Sequence, residues 1–337
     1  MAIGVLTLDG AGTGIDWRSG RAARYLRALG RGVGIFVPVI LLSTFITYGL
    51  GALSDTNPAA AVLGETATPA DIARMNHTFG LDRPFLSQYV HWLGRALHGD
   101  LGRSYFTQIP VSTSIAQRLP IDLSLALVAI VFAALIGGGL GVLAATHPGT
   151  WIDRTVTAIC AVFMSLPAFV IGIVLVVAFA TTLRILPSAG YVPFSLDTGQ
   201  WFLHILLPAF ALSLETAMSI ARQLRTSLVR ELAQNYVVGA EVRGLRPARV
   251  MTVHVLRNAA GPALTVLGAS IPVMIGGAVV TETVFSLPGL GQLAVSSAEQ
   301  RDIPVVQGVL IVTSALVILA NLVVNISLGK LRPGRTR

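Results

Sequence analysis

Charge is scarce in this chain. Asp, Glu, Lys and Arg make up 12% of its 337 residues, against 53% hydrophobic residues and a mean hydropathy of +0.73. A soluble domain of this length needs more charge to cover its surface, so the shortage points to a membrane protein. Cysteine is scarcer still. The single thiol, Cys160, sits in an apolar run; it excludes an intramolecular disulfide and argues against a cysteine-built metal site. Catalytic signatures are missing as well. No G-x-x-x-x-G-K-[ST], H-E-x-x-H or G-x-S-x-G occurs, so ATP hydrolysis on a phosphate loop, zinc peptidase chemistry and serine hydrolase chemistry all lack their residues. The glycine run "GGGLG" at 137–141 has no Lys-Ser or Lys-Thr after it. It reads instead as small residues that let two helices approach closely.

Long apolar runs, by contrast, are plentiful. A crossing needs about 20 mostly apolar residues, and six segments qualify: 32–53, 119–145, 155–183, 204–221, 259–281 and 304–328. The first has the basic flank of a signal peptide. It is too long for a usual apolar core of one and lacks a small-x-small cleavage site, so it reads as a retained span. Six spans put both termini on one side. Of the 24 Lys and Arg residues, 17 fall on that side, among them Arg18 to Arg31, Arg222 to Arg257 and Lys330 to Arg337. The positive-inside rule makes that side cytoplasmic. The net charge of +8 is then topological and calls for no nucleic acid. The expected organisation is a disordered cytoplasmic extension (1–22), a basic flank and first span (23–53), an outward helical segment (54–118), a transmembrane domain (119–331) holding a cytoplasmic loop (223–258), and a short cytoplasmic tail (332–337).

The outward segment is patterned. Thr68-Pro69-Ala70-Asp71 supplies an N-cap, a proline at the first helical position and an acid three residues on, and Gly80 is placed to end that helix. Phe85, Tyr89, Trp92, Leu93, Ala96 and Leu97 recur at helical spacing before a stop at Gly99, predicting an amphipathic helix that lies along the membrane interface or caps the outer mouth of the spans. His91 and His98 lie seven apart on it. With no convergent carboxylate or third histidine they suit a surface or packing role better than a metal site.

The stretch "YVVGAEVRGLRPARVMTVHVLRNAAGP" at 236–262 is a basic helical hairpin between the fourth and fifth spans. Gly244 is a natural left-handed C-cap, and Pro247 suits the first turn of a second helix. Alone it would pass for a DNA-reading helix-turn-helix, but a close tether at both ends leaves no room to enter a major groove. A loop facing lipid headgroups is the plain alternative, and a knob that transmits force from a partner is the functional one.

Here the chain resembles the permeases of binding-protein-dependent ABC importers, in the dipeptide/oligopeptide (peptide/nickel) branch. That branch shows Y-V-x-x-A-x-x-x-G-L followed by H-x-L-R-N-A and a proline. This chain has Tyr236-Val237, Ala240, Gly244-Leu245, His254, Leu256-Arg257-Asn258-Ala259 and Pro262. "GLDRPFLSQYVHWLGRALHGDLGRS" at 80–104, "ETVFSLPGLG" at 282–291 and "RDIPVVQG" at 301–308 are similar to its other signatures. The chain departs from it at Val238 and Glu241, where the branch usually carries basic residues. The resemblance implies an all-α, six-helix type I importer permease in the bacterial inner membrane. Its partners would be a second homologous permease subunit, two P-loop ATPase subunits that hold ATP and magnesium, and an extracytoplasmic substrate-binding protein. This chain would bind no cofactor. The resemblance also implies that the ATPase contact comprises Gly239, Ala240, Glu241, Val242, Arg243, Gly244, Leu245 and Arg246. The outer loop, with Glu282, Pro288, Gly289 and Gly291, would shape the outer mouth or receive the binding protein. Dipeptides, oligopeptides, glutathione-like peptides and nickel complexes are the substrates the branch allows.

Two further acids, within spans, need an account. Glu215 lies inside the fourth span, where a carboxyl is costly and suggests function. It either faces a substrate pathway, or pairs with Arg222, about two turns away, or hydrogen-bonds a neighbouring span. Asp122, near the outer end of the second span, is expected to snorkel to the interface. An ion-coupled secondary carrier is the rival reading. It would want midplane titratable groups and two related halves, whereas one acid and no repeat are found.

Overall fold

The computed structural model describes residues 37–51, 57–276 and 278–331, with Gly34 and Leu53. The expectations for 1–22, for the basic flank before residue 34 and for the tail 332–337 lie outside the described residues. Apart from an isolated bridge between Arg103 and Pro110, the described residues form helices and turns.

Helix α1, Val37–Gly51, is apolar but short. Three helices follow at the end of the bundle opposite the 236–262 hairpin, the loop end: α2 (Pro58–Leu63), α3 (Pro69–Phe79) and α4 (Phe85–Leu97). The reciprocal Thr68–Asp71 capping box opens α3, and Gly80, at φ 71°, closes it in the left-handed region, as their residue types predict. Then come α5 (Val111–Thr146), α6 (Trp151–Ser165) and α7 (Ala168–Leu175), which continues as a π-helical stretch, Val176–Thr182. Helix α8, Thr198–Leu232, leads into the hairpin, α9 (Asn235–Val242) and α10 (Pro247–Arg249). A second π-helical stretch, Val250–Val255, joins α11 (Leu256–Gly276). The chain ends with α12 (Ala278–Val284), α13 (Leu290–Gln300) and α14 (Ile303–Leu331).

The six expected spans are modified in two places. Four stretches are single helices long and apolar enough to cross a membrane: α5, α8, Pro247–Gly276 and Ile303–Val324. The third, expected as one helix over 155–183, is the bent pair α6 and α7, which meet at 103°. Pro167 is the cause: it lacks an N–H and its ring drives the preceding residue out of the helical region. Leu166 accordingly sits at φ −97°, ψ 127°. The pair still runs from one end of the bundle to the other, since Asp153 in its first turn meets Arg225 while Gly172 packs on Phe285 and Val284. The first expected span is represented among the described residues by α1 alone, which is shorter than a crossing.

The core centres on α8, the most enclosed of the long helices. It runs parallel to α5 at close range. A Cβ on Gly137 would stand 2.5 Å from the Ala217 carbonyl oxygen, and one on Gly141 would stand 2.9 Å from that of Ala221. Two glycines four residues apart thus let the backbones touch, which is the small-residue packing expected of "GGGLG". At the loop end, Tyr48, Tyr89 and Trp92 pack α4 onto α1. There the Tyr89 hydroxyl donates to the Leu41 carbonyl at 3.1 Å, and Gln307 of α14 donates to that of Thr44 at 2.9 Å.

Candidate functional site

The hairpin is built around one backbone conformation. Gly244 has φ 75°, and the Leu245 N–H returns to the Ala240 carbonyl at 3.2 Å, the long-range bond of a Schellman turn. Arg246 is extended, which places Pro247 at the first position of α10, where its missing N–H costs nothing. Val237 and Ala240, one turn apart, are buried in the main core with Val250 and Val255. Val238, Val242, Arg243, Gly244, Arg246 and Arg249 are exposed. One face therefore anchors the knob, and the other presents apolar and cationic side chains around a rigid turn.

This sorts the residues expected at the contact. Ala240 is 3% exposed and is an anchor rather than a contact, because α9 turns its small side chain onto the core. Leu245 and Gly239 are half-buried. Val242, Arg243, Gly244 and Arg246 stand outward, and Glu241 lies in the last turn of α9.

Two features of the hairpin's base escaped the sequence reading. The Tyr236 hydroxyl donates to Glu231 Oε1 at 2.9 Å and accepts from Asn258 at 3.3 Å, tying α9 to the end of α8 and the start of α11. Beneath it, Asp153 takes a bidentate grip from Arg225, at 2.5 and 2.6 Å, and also accepts the Gly149 N–H at 2.9 Å. Asp153 and Arg225 are 72 residues apart, so no local pattern announces them.

At the loop end two buried acids converge. Asp122 Oδ2 accepts the Leu290 N–H at 2.9 Å, and Glu282 Oε2 accepts the Gln292 N–H at 2.7 Å. Acids from α5 and α12 thus satisfy open donors at the start of α13, where the helix dipole favours negative charge. Between the two carboxyls sits Gly289, where a Cβ would lie 2.5 Å from Asp122 Oδ1 and from Glu282 Oε2.

These positions correct one expectation. Asp122 does not snorkel: it is 6% exposed, held inward by the Leu290 N–H. Glu282 is 1% exposed and lies inside the loop, where its Oε2 accepts the Gln292 N–H. Of the four outer-loop residues singled out, only Pro288 is exposed; Gly289 is buried and Gly291 half-buried. Nearby, Asp302 accepts from the Ser104 hydroxyl and from the Tyr105 N–H at 3.0 Å, closing the 101–110 segment onto the start of α14. Burial pushes the Asp302 carboxyl above the usual range, and these hydrogen bonds pull the other way.

Glu215 and Arg222 are both exposed on α8, and among the described residues neither belongs to an ion pair. The pairing offered as an alternative is not formed. Nor do the described residues bring three metal-ligating side chains together; the His98 ring bonds the Gly94 carbonyl at 2.8 Å.

Comparison with known proteins follows the same lines. The family of binding-protein-dependent transport system inner membrane components matches residues 137–337, and the N-terminal membrane component of such systems matches 24–126. The chain belongs to this family. A probable peptide ABC transporter permease of Sinorhizobium fredii is 38% identical to it over 301 residues, 89% of this chain and 93% of that one. The dipeptide transport system permease DppB of Escherichia coli K12 is 32% identical over 327 residues, 90% of this permease and 96% of DppB. These relatives are transporter subunits rather than enzymes. In solved structures, the permease resembles a chain of the MetNI methionine ABC transporter in its inward-facing state. The TM-score is 0.54 at 20% identity, covering 66% of this chain and 97% of that one. A second crystal form of MetNI gives a TM-score of 0.51 at the same identity and 66% coverage of this chain. The fold is that of a type I importer permease.

Proposed function

We propose that this permease forms half of the pathway of an ATP-driven importer for di- and oligopeptides. A second homologous permease subunit supplies the other half, two P-loop ATPase subunits bind ATP and magnesium, and an extracytoplasmic binding protein delivers the substrate. The peptide assignment is supported by relatives whose names specify peptide and dipeptide transport. The orientation, with both termini and the hairpin in the cytoplasm, is supported by the arginines gathered at the hairpin end. Nickel complexes and glutathione-like peptides draw no support from a particular residue.

The observation that carries the coupling role is the two-faced knob. Val238, Val242, Arg243 and Arg246 offer an ATPase a rigid surface, while Val237, Ala240 and the Tyr236 bonds transmit its movement to α8 and α11. ATPase closure then rocks the spans between inward- and outward-open states. An ion-coupled carrier has no use for such a surface.

Purification of the tagged chain in mild detergent, with mass spectrometry of whatever stays bound, tests the assembly. A P-loop ATPase and a second permease chain are expected. Arg243→Glu combined with Arg246→Glu is expected to release the ATPase and keep the second permease; retention of both would refute the docking surface. Gly244→Trp is expected to leave assembly intact and uncouple ATP hydrolysis from transport, which uptake per ATP hydrolysed reads directly.

A further inference from the structure

The charges on α8 form a pattern that the coupling role leaves unused. Asp153 and Arg225 pair at the start of α6 and mark the hairpin end of the bundle. Glu215 lies ten residues before Arg225 on the same helix, about 15 Å along its axis. That is about half of a hydrocarbon core of roughly 30 Å, so Glu215 sits near the midplane. Arg222 lies between the two levels.

Both residues occupy one stripe. Glu215, Ser219, Arg222 and Thr226 follow at spacings of four, three and four, the repeat of a single helical face. Glu215, Arg222 and Thr226 are exposed and Ser219 is half-buried, whereas Leu214, Thr216, Ala217, Met218, Ile220, Ala221 and Leu224 are buried. The most enclosed helix of the bundle thus leaves a polar strip uncovered. Charged groups at this depth are costly against lipid and are found facing bundle interiors or water-filled cavities. Neither has an ion-pair partner among the described residues. The strip therefore borders the space that the second permease subunit closes.

The order of signs selects a cargo. The acid stands nearer the loop end and the guanidinium seven residues further in, about 10.5 Å along the axis. An extended peptide spans at most about 3.3–3.6 Å per residue, so about three residues reach from one charge to the other. Flexible Glu and Arg side chains widen that by a residue in either direction. We infer that Glu215 and Arg222 form a two-point site for a short zwitterionic peptide, with the free ammonium on the Glu215 carboxylate and the terminal carboxylate on the Arg222 guanidinium. This rests on the peptide-import reading and adds to it the contact groups and the preferred cargo length.

The test is uptake of a labelled, unblocked tripeptide by proteoliposomes holding the full complex, at limiting peptide. Glu215→Gln and Arg222→Gln should each lower uptake about tenfold, as loss of one charge-assisted contact does. Assembly and binding-protein-stimulated ATP hydrolysis should stay at the unmodified level, and Glu215→Asp and Arg222→Lys should retain most of the uptake. Unchanged uptake in both Gln variants overturns the site. So does a parallel fall in assembly or ATP hydrolysis, which marks a structural role. If the unmodified complex hydrolyses ATP but carries no peptide, the peptide-import reading falls, and the site falls with it.

Discussion

Gly289 and Gly244 occupy turns at opposite ends of the bundle, and each is glycine for a different reason. Gly289, at φ −84° and ψ −176°, has a backbone any residue can adopt. Its constraint is space, because two buried carboxyls close on the position of its missing Cβ. Gly244 has open space around it, with nothing within 4 Å of a Cβ, and its constraint is the left-handed φ of 75°. The loop end is thus held by contacts between residues far apart in the chain: Asp122 with Leu290, Asp302 with Ser104, Gln307 with Thr44. The hairpin is shaped by its own local bonds and stands on a base of a few longer ones. An end locked by distant contacts resists deformation, whereas a self-contained knob on a narrow base can move as a body. A transporter driven from one end needs that asymmetry.

The sharpest way to break the comparison is to make the same substitution at both ends. Gly289→Ala is expected to cost about 3 kcal/mol, the top of the range for overpacking, since both carboxyls are tied to backbone N–H groups and cannot retreat. Denaturant titration of the purified chain in detergent measures it. A cost no larger than that of Gly244→Ala would show that the loop end is not locked.

Arg225→Ala should follow at about 2 kcal/mol. It strands the buried Asp153 carboxylate, and the loss is moderated because Arg225 is itself a third exposed. Asp153→Ala should cost less, because the freed guanidinium has access to water. Finding the two equal would place the value of the pair in the contact rather than in the stranded charge. Gly244→Ala is expected to cost about 1 kcal/mol, the ordinary penalty for a left-handed non-glycine residue. The smallest effect belongs to Thr68→Ala, about 0.5 kcal/mol, since it removes an exposed capping box whose neighbours remain hydrated. A larger loss there would mean that α3 supports the bundle rather than decorating it.

Much of the hairpin and the loop-end helices was legible because their information is local. Gly244, Pro247, the Thr68–Asp71 box and Gly80 each act within four residues of themselves, so the residue type alone states the geometry. The bend between α6 and α7 had a visible signal in Pro167, yet Pro120, Pro208, Pro262 and Pro272 stay inside long helices. Proline alone therefore does not say which span will break. The burial of Ala240 was readable only in part: Val237 and Ala240 have the spacing of a face, but not the direction in which it points.

What the sequence by itself determined is the class of the molecule: a polytopic all-α permease, its turns and caps, and the basic hairpin between two spans. Apolar length, charge asymmetry and turn chemistry are properties of short stretches, and they survive without knowledge of the partners. Only the tertiary structure decided that Asp122 and Glu282 converge under the start of α13, that Asp153 grips Arg225, and that Glu215 and Arg222 stand uncovered on α8. Each depends on which helix faces lie together. That is set by packing among segments 72 to 263 residues apart, a choice no local pattern encodes.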